Sequence, residues 1–344
     1  MATLRAGAAL GLALIGLVLA SLSGSCHGAL QVGFYNGKCR VSDVEAIVAG
    51  VVAARFSKDP TIAPALLRMQ FHDCFVTGCD ASILLDGKSS EKTAPPNLSV
   101  KGYDVIDSAK AAVEAICPGV VSCADIIVMA TRDAVSLSGG GRYRVETGRK
   151  DGLVSLASNV NLPPPSISVN DSIAAFAQKG LTVSDMVLLL GGHTIGIAHC
   201  SLFQDRLYNY QNTRKPDPTM DPSLASALRS TCPNKQTNVD NIQILARRGI
   251  LQIDQEIALD RQTKDIVGAI AGRLDFSTRF GQAMVKLGTL QNGAPGEIRQ
   301  SCRAINTARK LPTSEDKQRM GRTGWTRWSG DPRALSIQKR GSSD

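Results

Sequence analysis

With 344 residues, 43% of them apolar, the chain is long enough for one large domain or two small ones around a sizeable core. Its formal charge of +9 is unevenly placed: residues 308–344 hold nine Lys/Arg against four Asp/Glu, and Arg5 adds one more. The remaining body carries about +3, which gives no reason to invoke nucleic-acid binding but suits an acidic polysaccharide surface.

In chain order, the first segment reads as a secretory leader. Arg5 supplies the positive start, residues 7–20 form an apolar run, and small residues lead to a cleavage point near Gly28 or Ala29. The competing reading, a membrane anchor, is disfavoured because the run is short and polar residues follow at once. No later segment is long and apolar enough to span, so a mature protein outside the cytosol and off the membrane is expected. Of nine cysteines, Cys26 falls in the leader; eight remain, at 39, 74, 79, 117, 123, 200, 232 and 302. An even count in an oxidising compartment implies four disulfides and leaves on the order of a hundred pairings open. Zinc is the rival use, with Cys74 and Cys79 beside His72, but no second pair stands at finger spacing.

The body reads as helices joined by Gly/Pro-rich loops, with little strand alternation, which makes the fold all-α. Helical spacing predicts a helix over 43–56 capped by Ser42 or Asp43. A second, over 60–73, has Asp59 or Thr61 as cap and Pro64 in its first turn. A third over 103–116 ends at Cys117-Pro118-Gly119, and a fourth over 122–136 stops at Gly139–Gly141. Thr182 with Asp185 resembles a capping box, which makes 183–191 helical. The run Pro163–Pro165 marks a boundary between two halves. The Gly cluster lacks the Lys and Ser/Thr of a phosphate loop, and no repeat is visible. Residues 308–344, which contain both Trp residues, read as a disordered tail.

Three histidines remain after the leader: His72, His193 and His199. Arg68 and His72 lie about one helical turn apart, so they project from one face and pair a neutral base with a permanent cation. Spacing alone fits a satisfied helix surface equally well. In the next segment Asp73, Val76, Gly78, Asp80 and Ser82 pack carboxylates, a hydroxyl and aimed carbonyls into ten residues, a donor set that suits calcium. A polar turn stapled by Cys74 and Cys79 is the alternative. His193 follows an apolar helix and two glycines that let something large come close to the backbone, as an axial haem ligand requires. From these residues alone, a buried structural histidine is the favoured reading. His199 does not share a helix face with His193 and reads as structural.

RMQFHDCFVTGCDASILL at 68–85 resembles the distal signature of the plant secretory (class III) haem peroxidases, and LLLGGHTIGIAHC at 188–200 their proximal one. VSCADIIVMATRDAV at 121–135, GRKDG at 148–152 and EIRQSCRAIN at 297–306 also match, so the similarity runs from about Phe34 to Asn306. The resemblance implies a two-part helical fold, a distal half over about 29–160 and a proximal half over about 161–307, with one haem b between them. It makes His72 the acid–base, Arg68 the stabiliser of developing charge and Phe71 a wall of the distal pocket. Asn97 would hold the His72 ring, braced by Glu91. His193 becomes the iron ligand and Asp254 its proton acceptor. Asp73, Val76, Gly78, Asp80 and Ser82 become distal calcium ligands, with Glu91 near through water, and Pro163 touches donor substrates at the haem edge. It pairs Cys39 with Cys117, Cys74 with Cys79, Cys123 with Cys302 and Cys200 with Cys232. Hydrogen peroxide and small phenols are the implied reactants of a monomer that is secreted to the wall or held in the vacuole.

Several departures stand out. Cys232 and Asp254 are only 22 positions apart, shorter than the family pattern. Of the proximal calcium ligands only Thr194 and Asp240 find a match, and the aromatic usually packed beside the proximal imidazole finds none. Tyr143 replaces a family Trp. The turn before 297 is short and the tail has no counterpart. Two functions follow: an active peroxidase, favoured by the Arg68–His72 pair, or an impaired secreted protein with a structural or wall-binding role, favoured by the short 232–254 segment. Two sequons occur, at Asn97 and Asn170, and the inward role of Asn97 leaves Asn170 as the acceptor.

Overall fold

The computed structural model describes residues 30–39, 43–233, 249–271 and 274–306, and the backbone of 242–243. The leader, Ser42, Asp240 and the tail from 307 lie outside the described residues, and so do the readings made on them. The described residues belong to one contact unit that ends at Asn306.

Helices dominate. α1 (Val44–Phe56) starts where Asp43 accepts hydrogen bonds from the N–H groups of Glu45 and Ala46. α2 (Ile62–Val76) starts differently from expectation: Thr61 holds the cap position without a side-chain bond, while Asp59 accepts from the N–H and hydroxyl of Thr61. It also runs three residues past the expected end and carries Cys74, Phe75 and Val76. α3 (Tyr103–Glu114) follows, and then α4 (Cys123–Leu137), where Ser122 accepts from Asp125 N–H. α5 (Val169–Gln178) is capped by Ser168, and α6 (Val183–Leu190) begins with a full capping box of Thr182 and Asp185. Beyond it come α7 (Gln204–Tyr208), α8 (Pro222–Thr231), α9 (Gln252–Leu259), α10 (Lys264–Ala271) and α11 (Phe276–Gly288). Among the described residues strand is limited to three antiparallel two-residue ladders: 31–32 with 146–147, 151–152 with 296–297, and 197–198 with 242–243. Among the described residues no single helix is long and apolar enough to cross a membrane.

α2 is positioned by having two apolar faces. Leu66 and Met69 pack into one cluster with Val48, Val52, Ile106, Ile126 and Ile127. Leu67, Cys74 and Phe75 pack into a second with Phe176, Leu188, Phe280 and Leu287. Each such large side chain contributes about 1.5–3 kcal/mol on burial, so a helix anchored on two sides cannot roll without losing several of them. A third cluster holds Phe203, Leu207, Leu224, Leu228 and Ile250. Tyr143 packs closely against Gly281, where a Cβ would meet the tyrosine side chain at 3.0 Å. Across the clusters runs a buried ion pair, Arg149 Nη1 to Asp125 at 2.7 Å, in which Arg149 also donates to Gly288 O at the end of α11.

Four disulfides close the chain: Cys39–Cys117, Cys74–Cys79, Cys123–Cys302 and Cys200–Cys232. They are the pairs the resemblance implies, and the Cys74–Cys79 bond rules out the zinc alternative because a disulfide sulfur is no thiolate ligand. Cys123–Cys302 spans 179 positions and constrains the unfolded chain most. Replacing both of its cysteines by serine is expected to lower unfolding free energy by about 2–5 kcal/mol in denaturant titrations. Alkylation of the unreduced protein should label no thiol, and a labelled cysteine would break the four-bond pattern.

Candidate active site

The distal cluster is assembled by α2 and the loop after it. Arg68 and His72, one turn apart, touch: Arg68 Nε donates to His72 Nε2 at 3.1 Å. The other ring nitrogen, Nδ1, lies 2.6 Å from Asn97 Oδ1, and Asn97 Nδ2 donates to the main-chain oxygen of Glu91 at 2.8 Å. With its amide nitrogen committed to Glu91, Asn97 offers only its oxygen, so the ring proton sits on Nδ1 and Nε2 keeps its lone pair. Glu91 does brace Asn97, but through its backbone carbonyl. The other two guanidinium nitrogens of Arg68 donate to Ser99 Oγ at 2.9 Å and Pro96 O at 2.8 Å. The Pro95–Asn97 turn thus holds both members of the pair. Burial pushes the His72 pKa down to about 4, helped by the Arg68 charge and opposed by Asn97. Phe71 stacks on Phe75, with ring centroids 4.9 Å apart, beside Phe176.

The loop that follows brings the Asp73, Asp80 and Glu91 carboxylates within electrostatic reach of one another. Asp73 Oδ2 accepts from Ala81 N–H, while its Oδ1 is buried without a hydrogen-bond partner. Both carboxylate oxygens of buried Glu91 are in the same condition. Burial, then the charges of Asp80 and Glu91, drive the Asp73 pKa well up; burial and Asp80 push Glu91 up to about 7. Asp80 Oδ1 accepts from Ser82 N–H, and the hydroxyls of Ser82 and Thr77 lie 3.3 Å apart. Val76 O is already engaged by Lys179 Nζ at 2.9 Å. The loop is held in a left-handed turn at Gly78 (φ 102) and Ala81 (φ 57). A Cβ at Gly78 would meet the backbone of residues 290–292 at 3.1 Å. Arg299, fully buried, donates to the carbonyl oxygens of Ala81, Asp80 and Gly152. The sequence reading matched the segment around Arg299 but gave that residue no part.

The proximal cluster lies on the turn Gly191–Thr194 after α6. His193 Nδ1 is 2.7 Å from Asp254 Oδ1, on the first turn of α9. Burial alone would lower the His193 pKa; the charge and hydrogen bond of Asp254 outweigh it and hold the ring above its usual value. The His193 side chain is 40% exposed although the preceding helix is buried. The charges of the two clusters reach each other: His193 acts on His72, and Arg68 on His193. The glycine pair behaves in part as expected. What comes closest to Gly191 and Gly192 is protein: a Cβ would meet Phe276 at 2.9 Å and Leu67 at 3.3 Å. Thr194 is exposed and donates to Gly191 O at 2.8 Å. Pro163 is half-buried, and Pro165 O accepts from Ile253 N–H at 3.1 Å, which ties the proline run to α9. His199 precedes the turn Cys200–Leu202, where its carbonyl accepts from Leu202 N–H.

Comparison with known proteins agrees with this geometry. The family model described as "Peroxidase" matches residues 48–273. Peroxidase 60 of Arabidopsis thaliana is 50% identical over 315 residues, covering 85% of this chain and 94% of that protein. Peroxidase 5 of Vitis vinifera is 44% identical over 317 residues (85% and 96%), and peroxidase N1 of Nicotiana tabacum 43% over 300 (80% and 90%). The chain belongs to the peroxidase family, among the plant secretory haem peroxidases: an oxidoreductase that consumes hydrogen peroxide and oxidises donor molecules. Nothing found favours the impaired alternative, and Asp254 meets His193 despite the short 232–254 segment.

Asn97 has both amide atoms engaged and is buried, whereas Asn170 is exposed at the start of α5. Glycopeptide mass spectrometry of secreted protein is expected to place sugar on Asn170 alone; sugar on Asn97 would mean that the His72 support is free in solution.

Proposed function

We propose that the Arg68–His72 pair is the peroxide-cleaving centre, that His193 would hold the iron of one haem b, and that small phenols binding near Pro163 are the donors. The observation that carries this is the contrast between two held imidazoles, His72 between Arg68 and Asn97 and His193 against Asp254. The donor set fits the group: an imidazole backed by a carboxylate is a strong iron ligand, and the His193 side chain is part-exposed. Bound haem would accept two oxidising equivalents from peroxide and return them to two donor molecules in one-electron steps. His72 Nε2 takes a proton from the peroxide and returns it to the leaving oxygen, while Arg68 stabilises the charge that develops there. Phe71 walls the pocket.

His72→Ala is expected to keep haem but lose about a hundred- to ten-thousand-fold in the rate of reaction with peroxide, and Arg68→Leu to lose less. The ring accepts a proton only when neutral, so the rate should fall as pH drops through about 4. Removing the Arg68 cation removes one cause of that low value, so the acid limb of Arg68→Leu should move to higher pH. Stopped-flow spectra across pH read both; an unchanged limb would leave Arg68 without electrostatic influence on His72.

Calcium fits the distal loop, where Asp73, Asp80, Ser82, the carbonyls of Val76 and Gly78 and, through water, Glu91 would hold it. Its charge would satisfy the orphaned oxygens of Asp73 and Glu91. At the proximal side Thr194 and Asp240 supply too few oxygens for an ion that takes about six to eight. Metal analysis after dialysis is expected to find one calcium per chain, with haem released more readily than from full-length relatives. A family-length insert between Val239 and Ile244 should restore both properties, and two retained ions in the present chain would contradict the account. Export to the cell wall or vacuole, a monomeric state and contact with acidic polysaccharide complete the proposal.

A further inference from the structure

Asp254 stands at the third residue of α9, a helix whose start lacks a side-chain cap: Leu251 occupies the cap position and offers no polar group. Something else must fix this end, since the reach from Asp254 to His193 is a single hydrogen bond of 2.7 Å. Two contacts do so. Pro165 O receives Ile253 N–H on one side. On the other, Arg206 Nη1 donates to Gly249 O at 2.9 Å and to Ile250 O at 2.5 Å, the two residues that lead into α9. Arg206 is 1% exposed and is itself held by Asp217, Nε to Oδ2 at 2.8 Å. Asp217 is locked in turn: its N–H donates to Arg206 O, and its Oδ1 accepts from the N–H and hydroxyl of Thr219. Independently, Gly249 lies against the first turn of α9. A Cβ there would stand 2.8 Å from Gln255 N and 3.0 Å from Asp254 C, both backbone atoms that cannot step aside.

We propose that Arg206, seated on Gly249, is a positioning residue that keeps Asp254 within hydrogen-bond reach of His193. The inference rests on the reading of His193 as the haem ligand and deepens it: the clamp sets how much proton density Asp254 draws from the ring, and so how strongly the imidazole donates. Guanidinium geometry suits the task, because one planar fork serves Asp217 and two carbonyl oxygens at once; an ammonium offers a single point of attachment.

The test uses the full secreted chain carrying Gly249→Ala, Arg206→Lys, Asp254→Asn or His193→Ala. In haem-free protein, nitrogen-15 NMR reads the Nδ1 proton of His193, with the His72 ring as an internal marker of folding. In haem-loaded, reduced protein, resonance Raman reads the iron–imidazole stretch. Gly249→Ala and Arg206→Lys are each expected to move the His193 signal through the larger part of the shift produced by Asp254→Asn, and to lower the stretch in the same direction, with the His72 signals unmoved. Wild-type His193 signals in both variants would overturn the proposal. So would loss of the His72 signals in both, since the clamp would then support the whole fold and not Asp254 in particular. His193→Ala that still takes up haem with a wild-type spectrum would instead overturn the ligand reading, whatever Arg206 does.

Discussion

The buried pair Asp125–Arg149 is the contact on which the arrangement of the two main clusters hangs. Asp125, at the start of α4, accepts from Arg149 Nη1, from the N–H groups of Gly148 and Arg149 and from the hydroxyl of Tyr35. Arg149 reaches on to Glu146 O and Gly288 O. One carboxylate and one guanidinium therefore bind the N-terminal segment, α4, the 146–149 turn and the end of α11. Removing either partner strands the other charge in a buried site, a loss of about 3–5 kcal/mol. α2 lies between the elements so joined, and its two apolar faces settle where Arg68 and His72 point.

Within that frame the chain uses the same side chain for two opposite purposes. His72 is surrounded by burial, a cation and an amide, so its ring stays neutral and basic. His193 is set against a carboxylate, so its ring proton is drawn away and its free nitrogen is enriched. Neither role is written in the residue type. Each follows from the surroundings: burial, with the Arg68 charge added to it, in one case, and the charge and hydrogen bond of Asp254 in the other.

Much of this was legible in the sequence where the signal was local. Thr182 with Asp185 announced α6, whereas the Arg68–His72 pair, which spacing alone left even with a satisfied helix surface, was marked by the resemblance at 68–85. Two local signals were present and unread: Ser168 with Asp171 before α5, and Asp221-Pro222 at the start of α8, both of which act as caps. α2 outran its expected end because the helix continues through Cys74, whose bond to Cys79 folds the next turn back on it. What no spacing rule could reach were the long-range partners. Arg299 under the cation loop, Ser99 and Pro96 on the guanidinium, and Arg206 on the lead into α9 meet their targets only after the chain has folded, across 28 to 219 positions.

The Arg299 contact has a consequence for how the protein is made. Residues 80–82 and 151–152 emerge from the ribosome long before Arg299, Glu297 and Cys302, which cross-link them by hydrogen bonds, a strand ladder and a disulfide to Cys123. The distal loop thus cannot reach its final form until residues 297–302 have been made. Closure of so long a loop is slow. A chain cut short of residue 296 would keep every residue of the Arg68–His72–Asn97 cluster and still lack the brace beneath the loop that follows it, so completion of the distal side falls to residues 297–302.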